Sequence, residues 1–261
     1  MIWRLAAAYP DYLLQLSALL RDPVYHGHNI PKGHGHAVLL IPGFLTGDWM
    51  LMIMAGWLNR MGYRTYFSGI HWNVDCPNRT AEVLGWRLDH ITQETGHPIT
   101  IIGHSLGGML ARFLGVNFPQ QINHVVALGS PLDGSLRVNP LVPLTFCTLQ
   151  NFRSQRESLS PSCGSHQCTC QFAQTVGAAL SETVTLTSVY SKEDEIVDWR
   201  ASVDPQGTNI QVSGHHLGLT VNREVYRAIA ATLAEQAPIT RQPSPLAHPC
   251  NLGESCQSTC H

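Results

Sequence analysis

The chain has 261 residues, of which 44% are hydrophobic and only 13% charged, with a formal net charge of −2. That length suits one large α/β domain, and the weak acidic balance without any Lys/Arg block excludes a nucleic-acid-binding surface. The longest apolar runs, such as MLMIMAGWL at 50–58, fall far below the ~20 residues a membrane-spanning helix needs.

The start, MIWRLAAAYPDYLLQLSALLRD, lacks the long apolar stretch and small-residue cleavage site of a secretory signal, which points to a cytoplasmic protein. An amphipathic helix is expected over 10–20. Sparse charge also fits peripheral contact with a membrane or a partner; oligomeric state leaves no trace in the sequence. Next comes HGHNIPKGHGH (26–36), whose four histidines read as a solvated loop rather than a metal patch. AVLLI (37–41) is a short continuous apolar run, as for a strand buried on both faces. Helical spacing follows over 46–61, with methionines that fit core packing better than a site wall. YRTYFS (63–68) predicts a strand and 79–95 a helix ended by Gly96. PITIIG (98–103) is another buried strand, 106–117 a helix, and HVVALG (124–129) and VTLTSVYS (184–191) strands. TNIQV (208–212) is a weaker strand, and 222–236 the final helix.

Alternating strands and helices predict a mostly parallel sheet with helices on both faces. Ligands then bind in the loops at the strands' carboxyl ends, here directly after 41, 103, 129, 191 and 212. Two regions break the alternation. Residues 131–182 are rich in Pro, Ser, Leu and Cys without a period, as expected of a cap inserted into a single domain spanning 1–237. The Pro- and Cys-rich tail, 238–261, reads as irregular.

Eight cysteines, Cys76, Cys147, Cys163, Cys168, Cys170, Cys250, Cys256 and Cys260, fit disulfides in an oxidising compartment, or thiols and metal ligands in a reducing one. The cluster Cys163, His166, Cys168 and Cys170 has zinc-ligand residue types but not a usual zinc spacing. Disulfides including Cys147 are the alternative, and either way these cysteines read as structural.

Gly103-His104-Ser105-Leu106-Gly107 is a G-x-S-x-G pattern at a strand-to-helix junction. A serine hydroxyl is a poor nucleophile and must stand exposed on a sharp turn within reach of a base. Small residues two before and two after it let strand and helix approach closely. Four stretches, LLIPGF, GHSLGG, YSKEDEIVDW and GHHLGLTVN, together resemble α/β-hydrolases of the lipase/esterase type, over about 37–233.

The resemblance implies an α/β-hydrolase fold and a serine, acid, histidine order along the chain. Ser105 is then the nucleophile, and the oxyanion hole is made by the N–H groups of Leu106 and Phe44. Many lipases carry His-Gly where this chain has Pro42-Gly43, and a plain turn is the alternative reading of PGF. Asp194 takes the acid's place in YSKEDEIVDW. Asp133, in the loop after 129, is the rival acid, while Glu193 and Glu195 read as solvated neighbours and Asp198 as a local cap. His215 and His216 are the only histidines between Asp194 and the final helix. The family frame Gly-Ser-His-x-Gly-Leu, aligned on Gly214, Gly218 and Leu219, puts His216 in the base's place and turns His215 outward. The resemblance implies hydrolysis of small-molecule or lipid esters with acyl chains, through an acyl-enzyme and without metal or organic cofactor. An acyltransferase or thioesterase would use the same three residues, and a non-enzymatic binding protein of this fold would usually lack one of them.

Overall fold

The computed structural model describes residues 2–134, 137–154 and 170–235. Six strands form one all-parallel sheet: β1 (Ala37–Ile41), β2 (Arg64–Phe67), β3 (Ile99–His104), β4 (Ile122–Leu128), β5 (Thr185–Ser191) and β6 (Thr208–Val212). Their order is β2-β1-β3-β4-β5-β6. The chain therefore runs from β1 outward to β2, then returns to the other side of β1 to lay down β3. This reversal opens a crevice between the carboxyl ends of β1 and β3.

The sheet is covered on both faces. Alternate residues of each strand point to opposite sides, so Val38 and Leu40 join Ile102, Val126 and Val189 in one core. Leu39 and Ile41 join Ile101, Val125 and Ala127 in the other. The first core is closed by α1 (Ile2–Arg21), α2 (Met52–Arg60) and α8 (Arg223–Ala234) through Leu19, Trp57 and Ile229; the second by α3 (Pro77–Thr95) and α4 (Leu106–Asn117) through Leu84, Leu88 and Leu110. Met54 and Met61 are core residues and Met52 is exposed. Asn222 caps α8, its side chain accepting from the N–H groups of Glu224 and Val225.

Three sequence expectations change. The first helix begins well before residue 10 and carries Pro10 inside it: the Ala-rich segment ahead of the proline is a good helix former, and the helix tolerates the one N–H that proline lacks. The 46–61 helix is split into a 3-10 turn (Asp48–Leu51) and α2. The aperiodic stretch contains α5 (Leu141–Ser154) and α6 (Gln171–Thr175) between β4 and β5. Of the cysteines in this stretch, Cys147 lies on α5 and Cys170 at the N-terminus of α6. Cys163, His166, Cys168 and the tail from 238 on lie outside the described residues.

Nor is the histidine-rich loop wholly solvated. His36 is buried, with its Nε2 2.9 Å from Thr100 Oγ1, and His124 Nε2 lies 2.9 Å from Thr187 Oγ1. Burial, with the charge of His97 added, lowers the His36 pKa to about 4; burial and the charge of His36 lower that of His124 to about 4. Both rings bind a proton more weakly folded than unfolded, where the value is 6.5. Their contribution to stability is thus complete above pH 6.5 and is lost as pH falls from there towards 4. The urea midpoint should fall between pH 7 and pH 5, and by less in a His36→Gln/His124→Gln double variant. Parallel pH slopes for the two proteins would refute this assignment.

Candidate active site

Ser105 lies between β3 and α4 with φ 55° and ψ −120°, a left-handed φ that residues with a Cβ avoid at a cost of about 1–3 kcal/mol. The turn is held by Ser105 N–H donating to the Leu128 carbonyl (2.8 Å) and by close backbone packing. A Cβ on Gly103 would strike the Gly107 carbonyl, one on Gly107 the Ile41 carbonyl, and one on Gly108 the Ser130 hydroxyl. Gly103 and Gly107 are the small residues of the sequence motif; the need at Gly108 appears only in three dimensions. Leu106 opens α4, so its N–H has no carbonyl of the helix itself to pair with.

The loop after β1 packs directly on this turn. A Cβ on Gly43 would lie 3.0 Å from Ser105 Cβ and 2.9 Å from His104 Nδ1. Asn73, almost wholly buried, braces the loop: its side-chain amide donates to the Pro42 carbonyl (2.8 Å), and its own main-chain carbonyl accepts from Leu45 N–H (3.1 Å). Thr46 closes the turn onto the Gly43 carbonyl through both its N–H and its hydroxyl. Among the described residues, no backbone hydrogen bond engages the Phe44 N–H.

Two more loops bring in an acid and a histidine. His216 Nδ1–H donates to Asp194 Oδ2 at 2.7 Å, and Asp194 Oδ1 accepts from the N–H groups of Ile196 and Val197, both at 2.8 Å. The Asp194 and His216 side chains are 2% and 5% exposed. Burial works to lower the His216 pKa, but the charge of Asp194, the hydrogen bond to it and the charge of Glu195 outweigh burial, and the net direction is upward. His104 packs its ring 4.7 Å from that of His216 and donates from Nε2 to the His216 carbonyl (3.1 Å). Burial and the charge of His216 push the His104 pKa down to about 3, so this ring stays neutral.

Ser105, Phe44, Asp194 and His216 stand on loops at the carboxyl ends of β3, β1, β5 and β6, and Leu106 opens α4 directly after Ser105. Asp133 does not join them; it pairs with Arg137. Asp198 caps the short α7 (Trp199–Ser202), as expected. Glu193 is exposed, as expected, with its carboxylate accepting the Gly214 N–H (2.8 Å). The reading of Glu195 as a solvated neighbour is corrected: its carboxylate, 3% exposed, meets His215 Nδ1 at 3.0 Å. Among the described residues, no group of three or more His, Cys, Asp or Glu could hold a metal ion.

Sheet order, serine turn and loop placement define the α/β-hydrolase fold. Residues 87–197 match a family model described as a PGAP1-like alpha/beta domain; that segment holds Ser105 and Asp194 but ends before His216. Three of the many solved structures similar to the chain illustrate the likeness. One is the mature Bacillus licheniformis lipase BlEst2, at 15% identity over 78% of this chain and 94% of that one, with a TM-score of 0.56. Another is a Paleococcus ferrophilus monoacylglycerol lipase, at 16% identity over 78% and 96%, with a TM-score of 0.52. The third is a thermophilic esterase from Thermogutta terrifontis, at 16% identity over 78% and 91%, with a TM-score of 0.53. At such identities the likeness is one of fold. No curated protein sequence matches the chain.

Gly129 is a site residue that sequence reasoning missed. At φ 54° it lies under the acid–histidine pair, and a Cβ there would fall 2.7 Å from Leu219 Cδ1, 3.1 Å from Asp194 Oδ2 and 3.3 Å from His216 Nδ1. Gly129→Ala should cost on the order of 1–3 kcal/mol of stability and weaken the His216–Asp194 bond. The measurement is the downfield Nδ1–H proton resonance of His216, which should broaden or move upfield. An unchanged resonance would mean that the glycine serves only the backbone.

Proposed function

We propose that the chain is a serine hydrolase that cleaves carboxylic esters bearing acyl chains. The observation that carries this reading is the buried Asp194–His216 hydrogen bond, whose histidine packs its ring on that of His104, the residue just before Ser105 on its strained turn. His216 Nδ1 is committed to Asp194, so Nε2 is the nitrogen left to accept the Ser105 proton as the hydroxyl oxygen attacks the ester carbonyl. Asp194 stabilises the imidazolium, and the Phe44 and Leu106 N–H groups hold the oxyanion. The imidazolium then protonates the departing alcohol, leaving the acyl group on Ser105. Water, deprotonated by His216, attacks the acyl-enzyme and releases the acid.

The surroundings favour apolar acyl groups. Phe44 meets Phe146 of α5, ring centroids 5.6 Å apart, which brings the segment between β4 and β5 against the oxyanion loop as a cap would. Exposed Leu45, Trp49 and Met52 follow β1, in the loop, the 3-10 turn and the start of α2, exposed Trp72 follows β2, and Leu141 and Leu144 on α5 are exposed as well. The three structures named above are two lipases and an esterase, in keeping with ester substrates. No helix among the described residues is long and apolar enough to cross a membrane. Turnover of p-nitrophenyl esters of graded chain length, with and without an alcohol acceptor, separates hydrolysis from acyl transfer.

A fluorophosphonate probe should label the protein, and labelling should vanish in Ser105→Ala; undiminished labelling of that variant sinks the reading. The two histidines separate by the same assay. His216→Ala should abolish labelling and turnover, whereas His215→Ala should leave kcat within about tenfold, roughly 1.4 kcal/mol. The reverse result makes His215 the base.

Asp194→Asn should lower kcat by on the order of 10⁴, the loss seen when a triad carboxylate is amidated in a serine protease. Near-normal turnover there, with collapse in Asp133→Asn, would move the acid's role to Asp133.

A further inference from the structure

Glu195 follows the acid directly, and its side chain is as buried as that of Asp194, although the ester mechanism has no use for a second carboxylate. A charge removed from water is costly unless it is paired and hydrogen-bonded, so its partners are informative. Glu195 Oε2 accepts from the main-chain N–H of His216 (3.2 Å) and lies 3.0 Å from His215 Nδ1. The Glu195 peptide is itself fixed, its carbonyl accepting from the Asn139 side-chain amide (3.3 Å). Adjacent carboxylates on one loop thus grip adjacent histidines on another. Asp194 takes the His216 ring, and Glu195 takes the His216 backbone together with the neighbouring ring. With His104 donating to the His216 carbonyl, both peptide groups and the ring of His216 are held.

We propose that Glu195 is a positioning residue for the base: its buried carboxylate fixes the His216 backbone and keeps His215 turned away from the serine. This rests on the reading of His216 as the base. A negative charge so close must also favour the imidazolium, and Glu195 is one of the groups that raise the His216 pKa. The charged and titratable groups facing this loop are Asp194 and Glu195 from the segment after β5, Glu193 at the Gly214 N–H, His104 from the end of β3, His215 itself, Asp11 of α1 at the His215 N–H, and Glu224 of α8 at the Ser213 N–H and hydroxyl. Among the described residues, Glu195 is the one whose hydrogen bonds reach both histidines.

The test compares wild type, Glu195→Gln and Glu195→Ala by NMR titration of the His216 ring, by kcat and KM across pH, and by fluorophosphonate labelling. Glutamine keeps an oxygen that can accept the His216 N–H but loses the charge. Its His216 titration and the acid limb of kcat/KM should both move to lower pH, by on the order of one unit. Alanine loses both, and kcat should drop on the order of 10²-fold with KM unchanged, the loss expected of a misplaced base. Glutamine should recover most of that loss at the pH plateau. A labelled wild type whose His216 titration, acid limb and kcat stay the same in both variants overturns the role of Glu195. A wild type that takes no probe overturns instead the hydrolase reading on which it rests.

Discussion

Ser105 carries a Cβ at φ 55°, and the rest of the site depends on the chain holding that turn. The restraint comes from backbone packed on backbone. Gly103 lies on the start of α4, Gly107 on the end of β1, and Gly43 on Ser105 itself, so β1, β3 and α4 meet with no side chain between them. The strands that bear the load are fully buried, and β3 is hydrogen-bonded on both edges, to β1 and to β4. A local strain of about 1–3 kcal/mol is sustained because relaxing it would disturb the central sheet strands. The same contacts fix the loop after β1: Gly43 packs on the serine, and Phe44 follows Gly43.

The acid and the histidine are placed differently, by loops whose order comes from side chains bonded to backbone. Asp194 folds its own turn by accepting from Ile196 and Val197. The loop before His216 is held by Glu193 at Gly214, by Asn222 at the Ser213 carbonyl and by Glu195 at His216. Helix α1 adds a further layer, with Asp11 close to Gly218 and to the His215 N–H. Polar loops offer little apolar area to bury, so hydrogen bonds shielded from water supply the rigidity that packing supplies in the sheet.

This division explains what could be read in the sequence. β1, α4 and β6 have the bounds that periodicity indicates, because burial on one or two faces leaves a repeating signal along the chain. The G-x-S-x-G segment is legible for the same reason, since its glycines answer to neighbours within a few residues. Asn73, Gly129 and Glu195 are illegible because their partners are Pro42, Asp194 with His216, and His215 with His216, all distant in sequence. A lone Asn in a loop carries no period, and EDE reads as solvated charge until the chain brings His215 over it. Helix α5 escaped because exposed Leu141 and Leu144 and buried Phe146 share one short apolar run with no polar face to mark a period.

Among 14 histidines, the partner of each ring separates structural from chemical use. His36 and His124 face threonine hydroxyls, and burial then favours the neutral form. His216 is buried as well, but carboxylates at its ring and its backbone reverse the direction. At His104 the two kinds touch. Burial, with the charge of His216 added at a ring-centroid distance of 4.7 Å, drives the pKa of His104 down to about 3. A proton taken up by His216 therefore stays on His216 and does not pass to the neighbouring ring. Because His104 never needs to change its protonation, its Nε2–H can hold the His216 carbonyl through a full proton cycle at the adjacent imidazole. The histidine beside the serine is thus kept neutral by burial and by the charge of His216, while Asp194 and Glu195 override burial at His216 itself.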